Sequence, residues 1–205
     1  MSTNIQTWYN FVLQQMAAES YLDGWNNLTG AKQVEQLMYG SNNPTFQSLP
    51  FDNPILPGAT RMTATQAYYF LQNYRIVNQL PNTASGFSAT LMEKLDPATG
   101  LGTGEYTISI RSTEFFDPTQ GGDWARDGLP GADGEIGTSG FAFGQIASME
   151  SYYEHLKLGE SFDSISGQWV HDPALDSFSA AFGGSAPAPE KNSGSGLTFD
   201  TCYAE

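Results

Sequence analysis

Two alternating stretches with a turn-rich segment between them constrain the fold of this chain more than any other feature. Apolar and polar residues alternate from Phe87 to Leu91 and again from Tyr106 to Ile110. The intervening segment DPATGLGTG, residues 96–104, is rich in Gly and Pro. A period of two is typical of a strand with one buried face, and Gly and Pro mark turns. The sequence therefore predicts an antiparallel hairpin whose second strand faces a core.

The first 22 residues carry the spacing of an amphipathic helix, which we predict from about Ile5 to Leu22. Its stripe consists of Ile5, Trp8, Phe11, Val12 and Met16. Two interpretations are open for this aromatic stripe. Packing onto the core of the domain is favoured, because that is how such stripes usually behave. The alternative is a surface that binds lipid or a partner.

Three further helices are predicted. One is capped by Thr63 and continues through Leu80 to a stop at Pro81. Its inward face consists of Phe70, Leu71, Tyr74, Val77 and Leu80. Another begins at Ser139, with Ala142, Ile146, Met149, Tyr153 and Leu156 inward. The last begins at Asp172 and Pro173, an N-cap and first-turn pair, with Leu175, Phe178 and Phe182 inward and Gly183 as its stop.

The order of these elements predicts the fold class. Residues 39–61 are expected to form a long irregular connection, and residues 197–201 a terminal strand. Helices that alternate with strands in this order suit the first half of an α/β sandwich, with a mixed sheet flanked by helices. We predict one α/β domain over residues 1–182, followed by a linker-like segment and terminal strand over residues 183–205.

Composition excludes several classes of function. The net charge is −14, and only eight Lys and Arg are available to contact phosphates, which argues against nucleic-acid binding and attachment to anionic lipid. The single Cys202 rules out an internal disulfide framework and a Cys-based zinc site. The start MSTNIQTWYN lacks the basic and apolar regions of a Sec signal peptide, and no apolar run is long enough to span a membrane. A soluble protein is expected.

A Gly-rich acidic segment, GLPGADGEIGTSG, follows Asp127. Calcium takes carboxylate and carbonyl oxygens, so Asp127, Asp133 and Glu135 are candidate ligands. Their spacing does not fit an EF-hand. A plain flexible loop is the favoured alternative, because Gly and Asp clusters commonly form turns.

The second predicted strand leads into Ile110-Arg111-Ser112-Thr113-Glu114, and Asp123-Trp124-Ala125-Arg126-Asp127 follows. These two short motifs resemble lipases of the fungal-type class and the large bacterial lipases with Gly/Asp-rich calcium repeats. That family has a core strand ending in Arg-Gly-Thr/Ser, followed by a loop with Asn/Asp-Trp-x-x-Asp. The resemblance continues through residues 140–157 and is also present at residues 14–23, and in all it covers roughly residues 1–157.

The resemblance implies a partial α/β-hydrolase-like sandwich and carboxylic-ester hydrolysis. By this resemblance Thr113 is the oxyanion residue and Asp127 holds its hydroxyl in place. Preorganised donors of this kind are worth about 3–4 kcal/mol each. Ser112 stands where the family usually has Gly. The alternative is an ordinary turn at the end of a strand, with a buried Asp127.

The nucleophile that such an enzyme needs is not recognisable. Only Gly100–Gly104 and Gly140–Gly144 have the spacing of the G-x-S-x-G elbow, and their centres are Gly102 and Ala142. His171 with Ser161 is a weaker catalytic candidate, since Asp172 is better explained as a helix cap. Cys202 falls where the family has its elbow but lacks the glycines and a later base, so a non-catalytic cysteine is favoured.

The sequence therefore predicts a lipase- or esterase-like hydrolase, with an ester, a lipid or a synthetic polyester as its substrate, truncated or divergent at its nucleophile. The alternative is a non-catalytic module of the same descent that binds lipid or a partner through its aromatic residues. No cofactor is required, and calcium is an option. The family resemblance implies an extracellular protein, and a cytoplasmic location is the alternative because no Sec signal is recognised.

Overall fold

Helices and two small antiparallel sheets make up the part of the chain that the computed structural model describes, which is residues 3–20, 22, 25–38, 62–111, 131–163 and 165–183. The N-terminal elements are α1 (Thr3–Ala18), a 3-10 turn (Trp25–Asn27), α2 (Ala31–Met38) and α3 (Ala64–Asn73). The first sheet contains β1 (Tyr74–Leu80), β2 (Ala89–Leu95) and β3 (Gly102–Ile110). The remaining elements are α4 (Ala132–Ser139), α5 (Phe143–Lys157), β4 (Glu160–Asp163), β5 (Gln168–His171), a 3-10 turn (Pro173–Leu175) and α6 (Asp176–Phe182). The predicted mixture of helix and sheet is confirmed.

The predicted hairpin is formed by β2 and β3. The two strands pair antiparallel, with Leu91 opposite Ile108 and Thr90 opposite Ser109. The turn between them closes with a 2.7 Å hydrogen bond from the Gly100 N–H to the Asp96 carbonyl. Gly100 has a φ of 70°, a conformation that glycine adopts without steric cost. On the other side of β2, β1 completes an antiparallel sheet of order β1-β2-β3.

The sheet separates two apolar clusters, because successive residues of a strand point to opposite faces. Met92 packs into a cluster with α1, α2 and α3, whose largest fully buried members include Leu13, Leu37 and Phe70. Leu91 packs into the other cluster, with Tyr152 and Leu156 of α5 and Phe178 of α6. Both faces of the sheet are therefore covered within the described residues.

The helix predicted from Thr63 to Leu80 is correct only in its first half. Thr63 caps the start of α3 as predicted, and Gln66 completes a reciprocal capping box with it. The helix ends at Asn73, and the next residue begins β1. Ile76 and Val77 favour a strand, and a bulge between Ile76 and Asn78 reverses the alternation, so that Leu80 enters the second cluster although Ile76 is in the first.

The second half of the described chain differs from the prediction in three places. Residues 132–139, favoured as a flexible loop, form α4. Helix α5 begins at Phe143 rather than Ser139 because α4 first ends at Gly140, which has a φ of 83°. The ribbon of β4 and β5 was not predicted. Residues 39–61 and 184–205, including the predicted linker and terminal strand, lie outside the described residues.

The inward faces of the last two long helices were predicted only in part. In α5, Leu156 is buried as predicted, but Ile146, Met149 and Tyr153 are more than a third exposed, and the unpredicted Tyr152 is buried. In α6 and the turn before it, Leu175 and Phe178 are buried as predicted, whereas Phe182 is 44% exposed. The Asp172 carboxylate accepts a 3.0 Å hydrogen bond from the Ala174 N–H, which confirms the cap.

Candidate interaction surface

The N-terminal half of α1 projects beyond the first cluster. Every residue from Ile5 to Tyr9 is exposed, as are Phe11 and Val12, whereas Leu13, Met16 and Ala17 are buried. Ile5 is 77% exposed and Trp8 70% exposed. Exposure therefore differs between the two halves of the helix, as well as between its faces. We call the exposed side chains of Ile5, Trp8, Tyr9, Phe11 and Val12 the α1 apolar face.

The projecting half is held on its polar side. The Gln6 amide donates a 3.0 Å hydrogen bond to Asn10 and a 3.1 Å hydrogen bond to the Tyr69 hydroxyl on α3. The Tyr69 hydroxyl also donates to the Asn10 side-chain oxygen at 3.4 Å. Residues 6 and 10 lie on the opposite side of the helix from Ile5, Trp8 and Val12, at 100° per residue. The polar side therefore contacts α3. Tyr9 lies at the edge of the apolar face, with its ring centroid 6.0 Å from that of Tyr69, and Ile5, Trp8 and Val12 are directed away from α3.

The buried half of α1 fixes the helix to the first sheet. The Gln15 amide donates a 2.9 Å hydrogen bond to the Ile110 carbonyl at the end of β3. The Ser109 hydroxyl donates to the other Gln15 side-chain atom, its carbonyl oxygen, at 3.4 Å. Ala17, Leu13 and Met16 pack into the first cluster from the same half. The α1 apolar face is thus presented by an anchored helix and not by a loop.

Helix α1 carries no charge. Its sequence, TNIQTWYNFVLQQMAA, contains no Asp, Glu, Lys, Arg or His, in a chain of net charge −14. On its projecting half, the Gln6 and Asn10 side chains form hydrogen bonds with each other and with the Tyr69 hydroxyl of α3. An apolar face with this surrounding suits an uncharged binding partner.

The favoured prediction for this stripe, packing onto the core, is wrong for Ile5, Trp8, Phe11 and Val12 and correct for Met16. Periodicity shows which residues share a face of a helix, but it contains no information on how far along the helix the neighbouring elements extend. The absence of charged residues was a signal in the sequence that could have favoured the alternative, a binding surface.

The structure does not bring Ser161 and His171 together. In the β4–β5 ribbon, Ser161 pairs with Val170 and Glu160 pairs with His171. Directly paired residues share a face and successive residues alternate, so Ser161 and His171 lie on opposite faces of the ribbon. His171 Nε2 lies instead 3.6 Å from a carboxylate oxygen of Asp176, and both side chains are well exposed.

The other histidine has a more defined environment. His155 Nδ1 lies 2.7 Å from a carboxylate oxygen of Glu160. The imidazole also stacks on the indole of Trp169, with 3.9 Å between ring centroids and 5° between planes. Trp169 contacts Tyr152 and Phe162 in turn. This arrangement fastens the ribbon to α5, and Ser161 lies on the ribbon's other face, away from Glu160.

The two predicted calcium ligands within the described residues, Asp133 and Glu135, lie in α4. The Glu135 carboxylate accepts a 3.1 Å hydrogen bond from the Gly144 N–H in the first turn of α5. A carboxylate at a helix N-terminus satisfies an unpaired donor and complements the helix dipole. Asp133 lies in the first turn of α4, and Asp127 lies outside the described residues. No group of three or more candidate ligands occurs in the ranges described, and calcium binding stays a prediction.

Thr113 and Cys202, the remaining catalytic candidates, also lie outside the described residues, so the proposed oxyanion arrangement of Thr113 and Asp127 stays a prediction. Strand β3, which leads toward Thr113, is formed as predicted and ends at Ile110. Of its inward residues, Tyr106 and Ile108 pack against the second cluster, whereas Ile110 is 47% exposed.

No family model, curated protein or solved structure matches this chain. The fold therefore defines the protein only as a mixed helix and antiparallel-sheet protein, and the lipase-like resemblance stays a prediction. Within the described ranges, every helix is too short or too polar to cross a membrane.

Proposed function

We propose that this protein binds an apolar surface through the α1 apolar face. The observation that carries the proposal is the orientation of the projecting half of α1, whose polar side contacts Tyr69 while Ile5, Trp8 and Val12 are directed to solvent. Single exposed apolar residues are ordinary, but contiguous exposed patches commonly mark binding sites. Here five large apolar side chains lie within eight residues of one anchored helix.

Retention on a phenyl- or octyl-substituted resin at moderate salt tests this proposal. The double variant Trp8→Ser/Phe11→Ser is expected to elute much earlier than the unchanged protein, because it removes two of the three aromatic rings of the face. Leu101→Ser is the matched control. Leu101 is 68% exposed and lies in the β2–β3 turn, at the other end of the hairpin from the contact with Gln15. Equal retention of all three proteins would refute the proposal.

Carboxylic-ester hydrolysis is a second candidate function, and one observation favours it. The end of β3, three residues before Thr113, is hydrogen-bonded to Gln15 of the helix that presents the α1 apolar face. An apolar surface on a helix that contacts the end of β3 suits an ester substrate that is poorly soluble in water. Under this proposal Thr113 donates to the oxyanion, Asp127 orients Thr113, and the whole protein has an α/β-hydrolase-like sandwich.

Turnover of p-nitrophenyl esters tests the second candidate. The chain is expected to exceed background hydrolysis, and Thr113→Ala is expected to lose about 100- to 1,000-fold, the usual effect of removing an oxyanion donor. Circular dichroism of both proteins controls for folding. Rates that are indistinguishable and both at background would exclude this activity for the chain.

A further inference from the structure

We infer that the α1 apolar face docks on an electroneutral lipid–water interface, such as a phosphatidylcholine surface, with the N-terminal half of α1 lying in the plane of the interface. This inference rests on the proposed function and names its partner. Three observations favour lipid over a second copy of the chain or another protein: the charge of the helix, the area of the face and the position of its polar groups.

Charge favours a neutral partner. Helices that bind anionic membranes carry Lys or Arg on their polar face, and α1 has neither. The net charge of −14 repels an anionic surface. A strongly basic protein would be attracted to other parts of the chain, but α1 itself offers it no carboxylate. A zwitterionic lipid surface requires no charge from the helix.

The area of the face is too small for a stable dimer. A buried aromatic side chain covers 150–250 Å², so three aromatic and two aliphatic side chains at these exposures present on the order of 500 Å². Two copies would then bury about 1,000 Å² in total, below the 1,200–2,000 Å² of standard interfaces. Bringing two chains of charge −14 together adds repulsion. A lipid surface has no such size requirement.

The polar groups of the projecting half are placed for a boundary between water and lipid. Residues 5–12 span about 12 Å of helix, and interfacial helices bury their apolar side about 5–10 Å into the headgroup region. Trp8 and Tyr9 combine an apolar ring with a polar tip, which favours this region. Gln6 and Asn10 bind Tyr69 on the other side, so docking would not leave these amides without partners.

Phosphatidylcholine vesicles test the inference. In co-sedimentation, the unchanged protein and Leu101→Ser are expected to bind with similar affinity, and Trp8→Ser/Phe11→Ser is expected to bind roughly tenfold or more weakly. Brominated phosphatidylcholine reports insertion by quenching tryptophan fluorescence. Trp8→Phe keeps an apolar ring but removes the reporter, so it should bind vesicles and show less quenching than the unchanged protein.

Vesicle binding at two salt concentrations and the oligomeric state of the protein complete the test. Binding that persists from about 0.1 to 0.5 M NaCl supports an electroneutral interface, and binding that requires anionic lipid or disappears at the higher salt overturns it. A dimer in sedimentation analysis that Trp8→Ser/Phe11→Ser dissociates also overturns the inference. Absence of vesicle binding with α1-dependent resin retention overturns the lipid partner and leaves the proposed function standing. Absence of both vesicle binding and α1-dependent resin retention overturns the lipid inference and the proposed function together.

Discussion

Replacing Arg75 should destabilise the protein because it would leave a buried carboxylate without its cation. Glu93 of β2 accepts a 2.7 Å hydrogen bond from Arg75 Nε, and Arg75 Nη2 lies 2.5 Å from the same carboxylate oxygen. The other oxygen accepts from the Gly104 N–H at 3.1 Å. A β-carbon at Gly102 would collide with this carboxylate, so glycine lets β3 pass over Glu93 without displacing it. The Glu93 side chain is 3% exposed and that of Arg75 is 51% exposed.

The magnitude follows from the unequal burial of the two partners. Breaking a fully buried ion pair by removing one partner costs about 3–5 kcal/mol. Arg75 is half exposed, so water can partly replace it, and we expect Arg75→Met to cost about 2–3 kcal/mol. The double variant Arg75→Met/Glu93→Met removes both charges, and we expect it to be about 1 kcal/mol more stable than Arg75→Met alone.

Urea unfolding followed by circular dichroism measures these differences, provided that the slope with denaturant is unchanged. Lys94→Met is the matched control in the same sheet, because Lys94 forms a 2.7 Å pair with Glu105 in which both side chains are well exposed. An exposed pair contributes about 0–1 kcal/mol. The reasoning is refuted if Arg75→Met costs no more than Lys94→Met, or if the double variant is less stable than Arg75→Met.

Two further predictions concern groups in the second half of the chain. Burial raises the pKa of Tyr152 well above its ordinary range, and its hydroxyl donates a 2.9 Å hydrogen bond to buried Asn78. Tyr152→Phe should therefore cost about 1–3 kcal/mol in urea unfolding, and no loss at all would contradict this role. Hydrogen bonds from the Ser166 hydroxyl and the Ile165 N–H lower the pKa of Asp163. Because the folded-state pKa is lower, the ionised Asp163 stabilises the fold above the unfolded-state pKa of about 4. This stabilisation is lost as the pH falls through the folded-state pKa, so Asp163→Asn should reduce the sensitivity of the fold to acid below about pH 4. Identical acid titrations of the two proteins would contradict this.

Local chemistry made part of the fold predictable from the sequence. The cap at Thr63, the cap at Asp172 and the β2–β3 hairpin each depend on residues close together in the chain. Helix propensity and periodicity failed where tertiary packing decides. Tyr74, Val77 and Leu80 fit a helix as well as a strand, and pairing with β2 selects the strand. Residues 132–139 contain two interior glycines, and yet they form α4 in contact with α5.

The candidate surface could be predicted only as a list of residues. The stripe of α1 was identified in the sequence, but its orientation depends on Tyr69, which is 63 residues from Gln6 and 59 from Asn10 along the chain, with α2 between them. The hydrogen bonds from Gln6 and Tyr69 place the polar side of α1 against α3. A sequence pattern cannot indicate that a helix directs its polar side toward the protein. The Glu160–His155–Trp169 arrangement was missed for a similar reason, because it depends on a ribbon that was not predicted.

The free energy that burial of the α1 apolar face would give is the strongest argument that the face has a partner. At about 25 cal/mol per Å², burying an exposed area on the order of 500 Å² would give about 12 kcal/mol of favourable free energy. That is comparable to the 5–15 kcal/mol by which a typical protein is stable. Polar residues at positions 5, 8, 11 and 12 would keep the contacts of Gln6 and Asn10 with Tyr69 and would avoid exposing this area. Binding an apolar surface recovers part of this free energy, and a role confined to folding does not.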